Sequence, residues 1–215
     1  MLSIWFSVHH ARALRSMFQY PHESFIAEKL QKLARYPMVL DIGGGEPFSK
    51  WLEPHKSLFK NAQYKSFDYD ARTGADVVGD IHAIPLPADS VDAIICASVL
   101  EHVRDPLRAM SELKRVLKPG GGLFFYVPSI YPYHARKGAY PDTWRFFDDT
   151  LHILFEGFAH VEICKRGGYF LALSFFVPFQ HRIRPILDGL AHVLDTLFKT
   201  EKRTTTSGYY VYAEK

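Results

Sequence analysis

The sequence predicts an α/β domain of the doubly wound kind, with a mostly parallel sheet and helices on both faces. Three observations predict it. Short apolar runs alternate with helical patterns through the middle of the chain. Several of those runs are apolar throughout, as strands buried on both faces of a parallel sheet must be. A glycine cluster, DIGGGEP, follows directly on the first run.

Taken in order, residues 1–36 read as N-terminal helices broken at Pro21, after which Phe25, Ile26, Leu30 and Leu33 keep helical spacing. Strand segments follow at 38–42 (MVLDI), 62–68 (AQYKSFD), 75–80 (ADVVGD), 91–98 (VDAIICAS) and 121–127 (GGLFFYV). Between the last two, residues 105–118 place Leu107, Met110, Leu113, Val116 and Leu117 on one helical face, with KPGGG as the stop. Residues 158–166 and 207–214 supply two late strands, open to pairing as a hairpin around a helical excursion. Strand–helix alternation of this kind implies crossover units and a parallel sheet.

Composition narrows the classes. A chain of 215 residues suits one domain, and 47% hydrophobic residues exclude disorder. A net charge of +3 is too small to argue for nucleic acid, and none is expected as a partner. Cys96 and Cys164 have no CxxC or Cys/His spacing, so no metal site is expected, and they read as thiols in a reducing compartment. The first twenty residues lack a signal-peptide pattern, and the longest apolar run, 169–179, falls below the roughly 18 residues a membrane span needs. A cytoplasmic protein is expected.

The first strand runs into an acid, then Gly43, Gly44 and Gly45, then a helix expected to begin near Pro47. Glycines let the backbone take positive φ and approach a ligand closely, and the place is the carboxyl rim of the sheet. Nicotinamide cofactors fit poorly, because Phe48 stands where the dinucleotide fingerprint wants its third glycine. An acid ahead of the glycines would also repel a pyrophosphate, yet it suits a cationic ligand.

These residues resemble the first motif of the class I S-adenosylmethionine-dependent methyltransferases, of the type 11 kind. The resemblance continues in family order through FDYD, GDIHAIPLP, SVDAIICASVLEHV and LKPGGG. It implies a Rossmann-like seven-stranded sheet with an antiparallel last strand, and S-adenosyl-L-methionine as cofactor. By the same resemblance Asp41, Gly43, Gly44 and Gly45 take the methionine half, Asp68 (with Asp70 in reserve) the ribose, and Asp80 and Ile81 the adenine. Ala97, closing the fourth strand, completes that set. Pro47 departs from the family, which usually has a further glycine there. The implied division is 1–215 as one domain, with 37–128 the cofactor core, 129–157 a substrate lid and 169–200 an apolar helical insert.

Methyl transfer needs a nucleophile aligned with the methyl group and, for a hydroxyl, a base. The lid carries His134, then Tyr140, Asp142, Trp144 and Arg145, resembling the H…D-x-W-R-F signature of glycan-modifying methyltransferases. His134 is the expected base, oriented by Asp142, and His102 lies where the family places residues near the methyl group. Tyr133, Tyr140 and Trp144 are expected to stack on an acceptor, and Arg145 to clamp an anionic group. Packing of Trp144 and an Asp142–Arg145 pair remain open beside this reading. The expected reaction is methyl transfer to an oxygen of a small-molecule, glycan or lipid-linked acceptor. A non-catalytic binding or regulatory protein is the alternative. The insert 169–200 fits peripheral contact with the inner membrane face, a pocket cover or a homodimer seam.

Overall fold

The computed structural model describes residues 20–48 and 50–215. The strands are β1 (Met38–Ile42), β2 (Gln63–Asp68), β3 (Val77–Val78), β4 (Val91–Ala97), β5 (Leu117–Pro128), β6 (His160–Lys165) and β7 (Gly208–Glu214). They form one seven-stranded sheet in the order β3-β2-β1-β4-β5-β7-β6. β1 pairs in parallel with both β2 and β4, with Asp41 between Ser66 and Ile95. Only β7 runs against its neighbours, β5 and β6. The carboxyl ends of β1, β2, β4, β5 and β6 therefore meet at one rim.

Helices cover both faces, as expected. Alternate residues of a strand point to opposite faces. Leu40, Ile94, Phe125 and Val211 accordingly pack with Met110 and Leu113 of α2 (Pro106–Val116) and Leu151 of α3 (Asp148–Leu154). On the other face Val39, Ile95, Phe124 and Tyr212 meet Leu30 and Leu33 of α1 (Pro21–Leu33). The break expected at Pro21 is there: Tyr20 is extended, and Pro21 opens the first turn of α1, where its missing N–H costs nothing. The helical stretch expected before it lies outside the described residues.

Two elements differ from expectation. β5 begins at Leu117, straight after α2, so KPGGG is not a helix stop but an irregular strand entry. The register against β4 shifts between Val91 and Ala93, and a Cβ on Gly121 would lie 2.9 Å from the Asp92 carbonyl oxygen. After the glycine loop, the helical segment is a 3-10 helix at Lys50–Phe59, not an α-helix from Pro47. Pro54 sits inside it, removing a donor and crowding the preceding turn, so an α-helical ladder cannot run through.

The late strands do pair as a hairpin, with α4 (Tyr169–Ser174) and α5 (Arg184–Leu197) between them. Asp195 of α5 is fully buried and accepts from the backbone N–H groups of Gly168, Phe170 and Leu171 at 3.0, 2.9 and 3.1 Å. It thus caps the start of α4 from a different helix. That capping sets the roll of α5. Its polar side faces inward, while Ile186, Leu190 and Leu197 are 70%, 56% and 69% exposed. No helix among the described residues is long and apolar enough to cross a membrane.

Candidate active site

A cavity of about 1120 Å³ opens at the carboxyl rim, and Asp41, Gly43, Gly44, Gly45, Asp68, Asp80, Ile81 and Ala97 all line it. The glycines are required for two different reasons. Gly43 and Gly45 take φ of 72° and 63°, where other residues are strained. A Cβ on Gly44 would stand 2.1 Å from Asp41 Oδ2. Asp41 is buried and accepts from the Tyr64 hydroxyl at 2.7 Å, and the Tyr64 ring stacks on Phe48 at 3.8 Å. The carboxylate is held in place.

Along β2's end the two candidate acids separate clearly. Asp70 is bound by the Arg72 guanidinium at 2.7–3.1 Å, which holds its carboxyl down at about 2. Asp68 uses Oδ1 for the Asp70 N–H, and its Oδ2 is directed toward Gly45. Asp80 caps the 3-10 turn Ile81–Ala83 through the His82 N–H at 2.9 Å, and that bond lowers its pKa. Since His82 Nε2 accepts from the Asp105 N–H, Nδ1 carries the proton and donates to Asp80 at 2.6 Å.

The other half of the cavity contains a group that sequence reasoning missed. Glu101, in the 3-10 turn Leu100–His102, is 1% exposed, and its Oε1 lies 3.7 Å from His134 Nε2 and 3.8 Å from His102 Nε2. Its Oε2 has no hydrogen-bond partner among the described residues. His102 Nδ1 sits 2.5 Å from the Pro141 carbonyl, and His134 Nδ1 lies 3.1 Å from the Pro132 carbonyl and 3.2 Å from Asp142. Carbonyls only accept, so both imidazoles are oriented with Nε2 toward the buried carboxylate. The Glu101 carboxylate raises the His134 pKa above its ordinary value, against the effect of burial. Glu101 stands in the LEHV segment beside His102; its acidity was visible, but its burial and approach to His134 were not.

The lid corrects three expectations. Arg145 is no free anion clamp, because it binds both oxygens of Asp142 at 2.6 and 2.7 Å and the carbonyls of Tyr131, Pro132 and Trp144. This pair holds the Asp142 carboxyl at about 2, and Asp142 also receives the His134 backbone N–H at 2.7 Å. Trp144 donates its indole N–H to the Val103 carbonyl at 2.9 Å and fastens the lid to the loop after β4. Tyr133 is 77% exposed. Neither aromatic lines the cavity, whereas Tyr140 does, packed at 4.3 Å on His102. Tyr131 of the lid completes this wall together with Tyr126 and Arg166, to which no motif pointed.

Strand order, glycine loop and rim cavity together define a class I S-adenosylmethionine-dependent methyltransferase fold. The family model for a methyltransferase domain matches residues 40–125 of the chain. A methyltransferase structure from Archaeoglobus fulgidus superposes with a TM-score of 0.60 at 17% identity, covering 94% of this chain and 97% of that one. Another from Mesorhizobium loti gives 0.51 at 20% identity, covering 95% and 96%. A 2-methyl-6-phytyl-1,4-hydroquinone methyltransferase of Oryza sativa is 29% identical over 61% of this chain and 38% of its own length. A thiol S-methyltransferase of Mus musculus is 32% identical over 59% and 52%. The chain spans about half or less of the length of these curated relatives. S-adenosylmethionine is the cofactor of this class, and the residues present fit it. Its donor half is acidic, and the crowded Gly44 leaves backbone, not side chain, at the cavity wall.

Proposed function

We propose that this protein transfers the methyl group of S-adenosylmethionine to an oxygen of a small-molecule acceptor. The observation carrying this reading is one cavity that joins an acid-and-glycine cradle to a buried Glu–His cluster. Asp41 and Gly43, Gly44 and Gly45 hold the methionine half, Asp68 the ribose hydroxyls, and Asp80 with the Ile81 N–H the adenine edge; Ala97 floors the space. The bound cofactor supplies a methyl carbon already activated by a cationic sulfur, so the protein's task is alignment and proton removal. His134 takes the acceptor's proton at Nε2, Glu101 stabilises the imidazolium that results, and Asp142 fixes the ring. His102 and Tyr140 shape the approach. The relatives' named acceptors, a hydroquinone and a thiol, both carry an acidic hydrogen on the heteroatom, which favours a site built around a base. Calorimetry tests the reading: S-adenosylhomocysteine binds with micromolar affinity, and NAD does not bind. No measurable affinity for S-adenosylmethionine or its demethylated product would remove it.

The outward apolar face of α5 favours a lipid-borne acceptor. Arg182, Lys199 and Lys202 flank it and are exposed, whereas Arg184 is tied to Asp188 within the helix. Such a face with basic flanks suits an anionic membrane surface. Wild-type protein should float with anionic liposomes, and the triple change Ile186→Ser, Leu190→Ser, Leu197→Ser should stay in the dense fraction. A stable dimer in solution that does not float would assign the face to a second copy instead.

A further inference from the structure

Charge around the cavity is segregated. Asp41, Glu46, Asp68 and Asp80 line the glycine-loop end, with Arg104 beside Asp80 and Arg72 tied to Asp70. Arg166, following β6 at the far edge of the sheet, lines the opposite end, and Arg136 and Lys137 of the lid line the cavity as well, as does Glu101. The first end matches a cationic donor. The second calls for an anion.

Arg166 makes the case specific. It follows β6, and its backbone N–H is fixed to the Gly208 carbonyl at 2.8 Å. One side-chain nitrogen, Nη1, donates to the Tyr126 hydroxyl at 3.0 Å, and the guanidinium lies 4.8 Å from the centre of the Phe175 ring. No carboxylate forms an ion pair with it among the described residues, and all 23 Asp and Glu residues of the chain fall within them. Its surroundings are neutral. Tyr126, Tyr131 and Tyr210 stand near it, and burial together with the Arg166 charge holds His22 neutral, its pKa pushed down to about 3. A cation drawn into such a wall ordinarily has a counter-ion, because leaving it unpaired is costly. The guanidinium fork has five donors in a plane, enough to engage both oxygens of an oxyanion. Arg145, the arginine that the lid motif offered for this task, is already saturated by Asp142.

We propose that the acceptor bears an oxyanion, carboxylate or phosphate, and that Arg166 docks it, with Arg136 and Lys137 on the lid adding charge. This rests on the cavity being the acceptor chamber of a methyltransferase. The probes are benzoate and phenyl phosphate, with benzyl alcohol as the neutral control, titrated into protein saturated with S-adenosylhomocysteine. At least one anion should bind ~10-fold more tightly than the alcohol, and which one wins separates carboxylate from phosphate. Arg166→Gln should abolish that preference and leave S-adenosylhomocysteine affinity within twofold, while Arg166→Lys keeps part of it. Equal binding of all three probes by the wild type would overturn the proposal, and needs no variant to fold. So would a preference that survives in Arg166→Gln. Loss of S-adenosylhomocysteine affinity in that variant would also overturn it, by assigning the guanidinium to the donor's carboxylate. Failure of the wild type to bind S-adenosylhomocysteine at all is a separate result, which removes the parent reading.

Discussion

Gly44→Val should raise the dissociation constant for S-adenosylhomocysteine by ~100-fold or more, a loss on the order of 3 kcal/mol, while the protein stays folded. The cause is a collision with one particular group. The new Cβ would lie 2.1 Å from Asp41 Oδ2, so either the loop or the carboxylate must move. Asp41 cannot move freely. Its backbone lies in β1 between two parallel partners, and its side chain holds the Tyr64 hydroxyl. The loop cannot move freely either, since the Gly43 N–H is bonded to the Phe67 carbonyl at 2.8 Å and both neighbouring glycines sit at positive φ. Whichever gives way, the cradle is lost. Gly74→Ala is the matched control. Gly74 has φ of 76° but open space around its Cβ position, so that change should cost about 1 kcal/mol of stability and leave binding untouched. Calorimetry on the three proteins, with thermal unfolding alongside, reads both effects. Equal affinity of Gly44→Val and wild type would remove the glycine loop from the cofactor site.

The contrast between loop and lid shows which parts of the site a sequence can express. The loop's constraints are local. An acid, a run of glycines and an apolar strand must be adjacent in sequence, because one backbone makes the turn. The Glu101–His134 pairing joins residues 33 positions apart in two different loops (134 − 101 = 33). Nothing in either segment specifies the other. The lid motif was legible as a unit, yet Arg145 serves Asp142, while the uncompensated arginine follows a strand with no motif at all. Similarly, the spacing of Ile186, Leu187, Leu190, Val193, Leu194 and Leu197 announced an amphipathic helix but not its roll. The burial of Asp195 decided that, through three backbone N–H groups on another helix. Pro54, by contrast, stood in plain view, and its effect on the helix after the glycine loop follows from its missing donor.

The same cluster gives the second large effect. Glu101→Gln keeps the size of the side chain and removes its charge, and turnover should fall about 100-fold with S-adenosylhomocysteine affinity near wild type. A proton taken by His134 Nε2 becomes a positive charge 3.7 Å from Glu101 Oε1, and without that carboxylate the only acid beside the ring is Asp142 on the Nδ1 side, already paired with Arg145. The pH profile separates this role from a structural one. Glu101 raises the His134 pKa, and the base works only in its neutral form. Activity of the wild type should therefore rise with pH through that raised value. In Glu101→Gln the imidazole loses its proton more easily, so the acid limb of kcat/KM should move to lower pH even as the maximum falls. His134→Ala should erase the limb and lower turnover at least tenfold, again without weakening the cofactor. A Glu101→Gln enzyme with an unshifted acid limb would show that Glu101 and His134 do not act together, and the proton would have to leave by another route. A fall confined to KM would place Glu101 in acceptor binding, not in proton transfer.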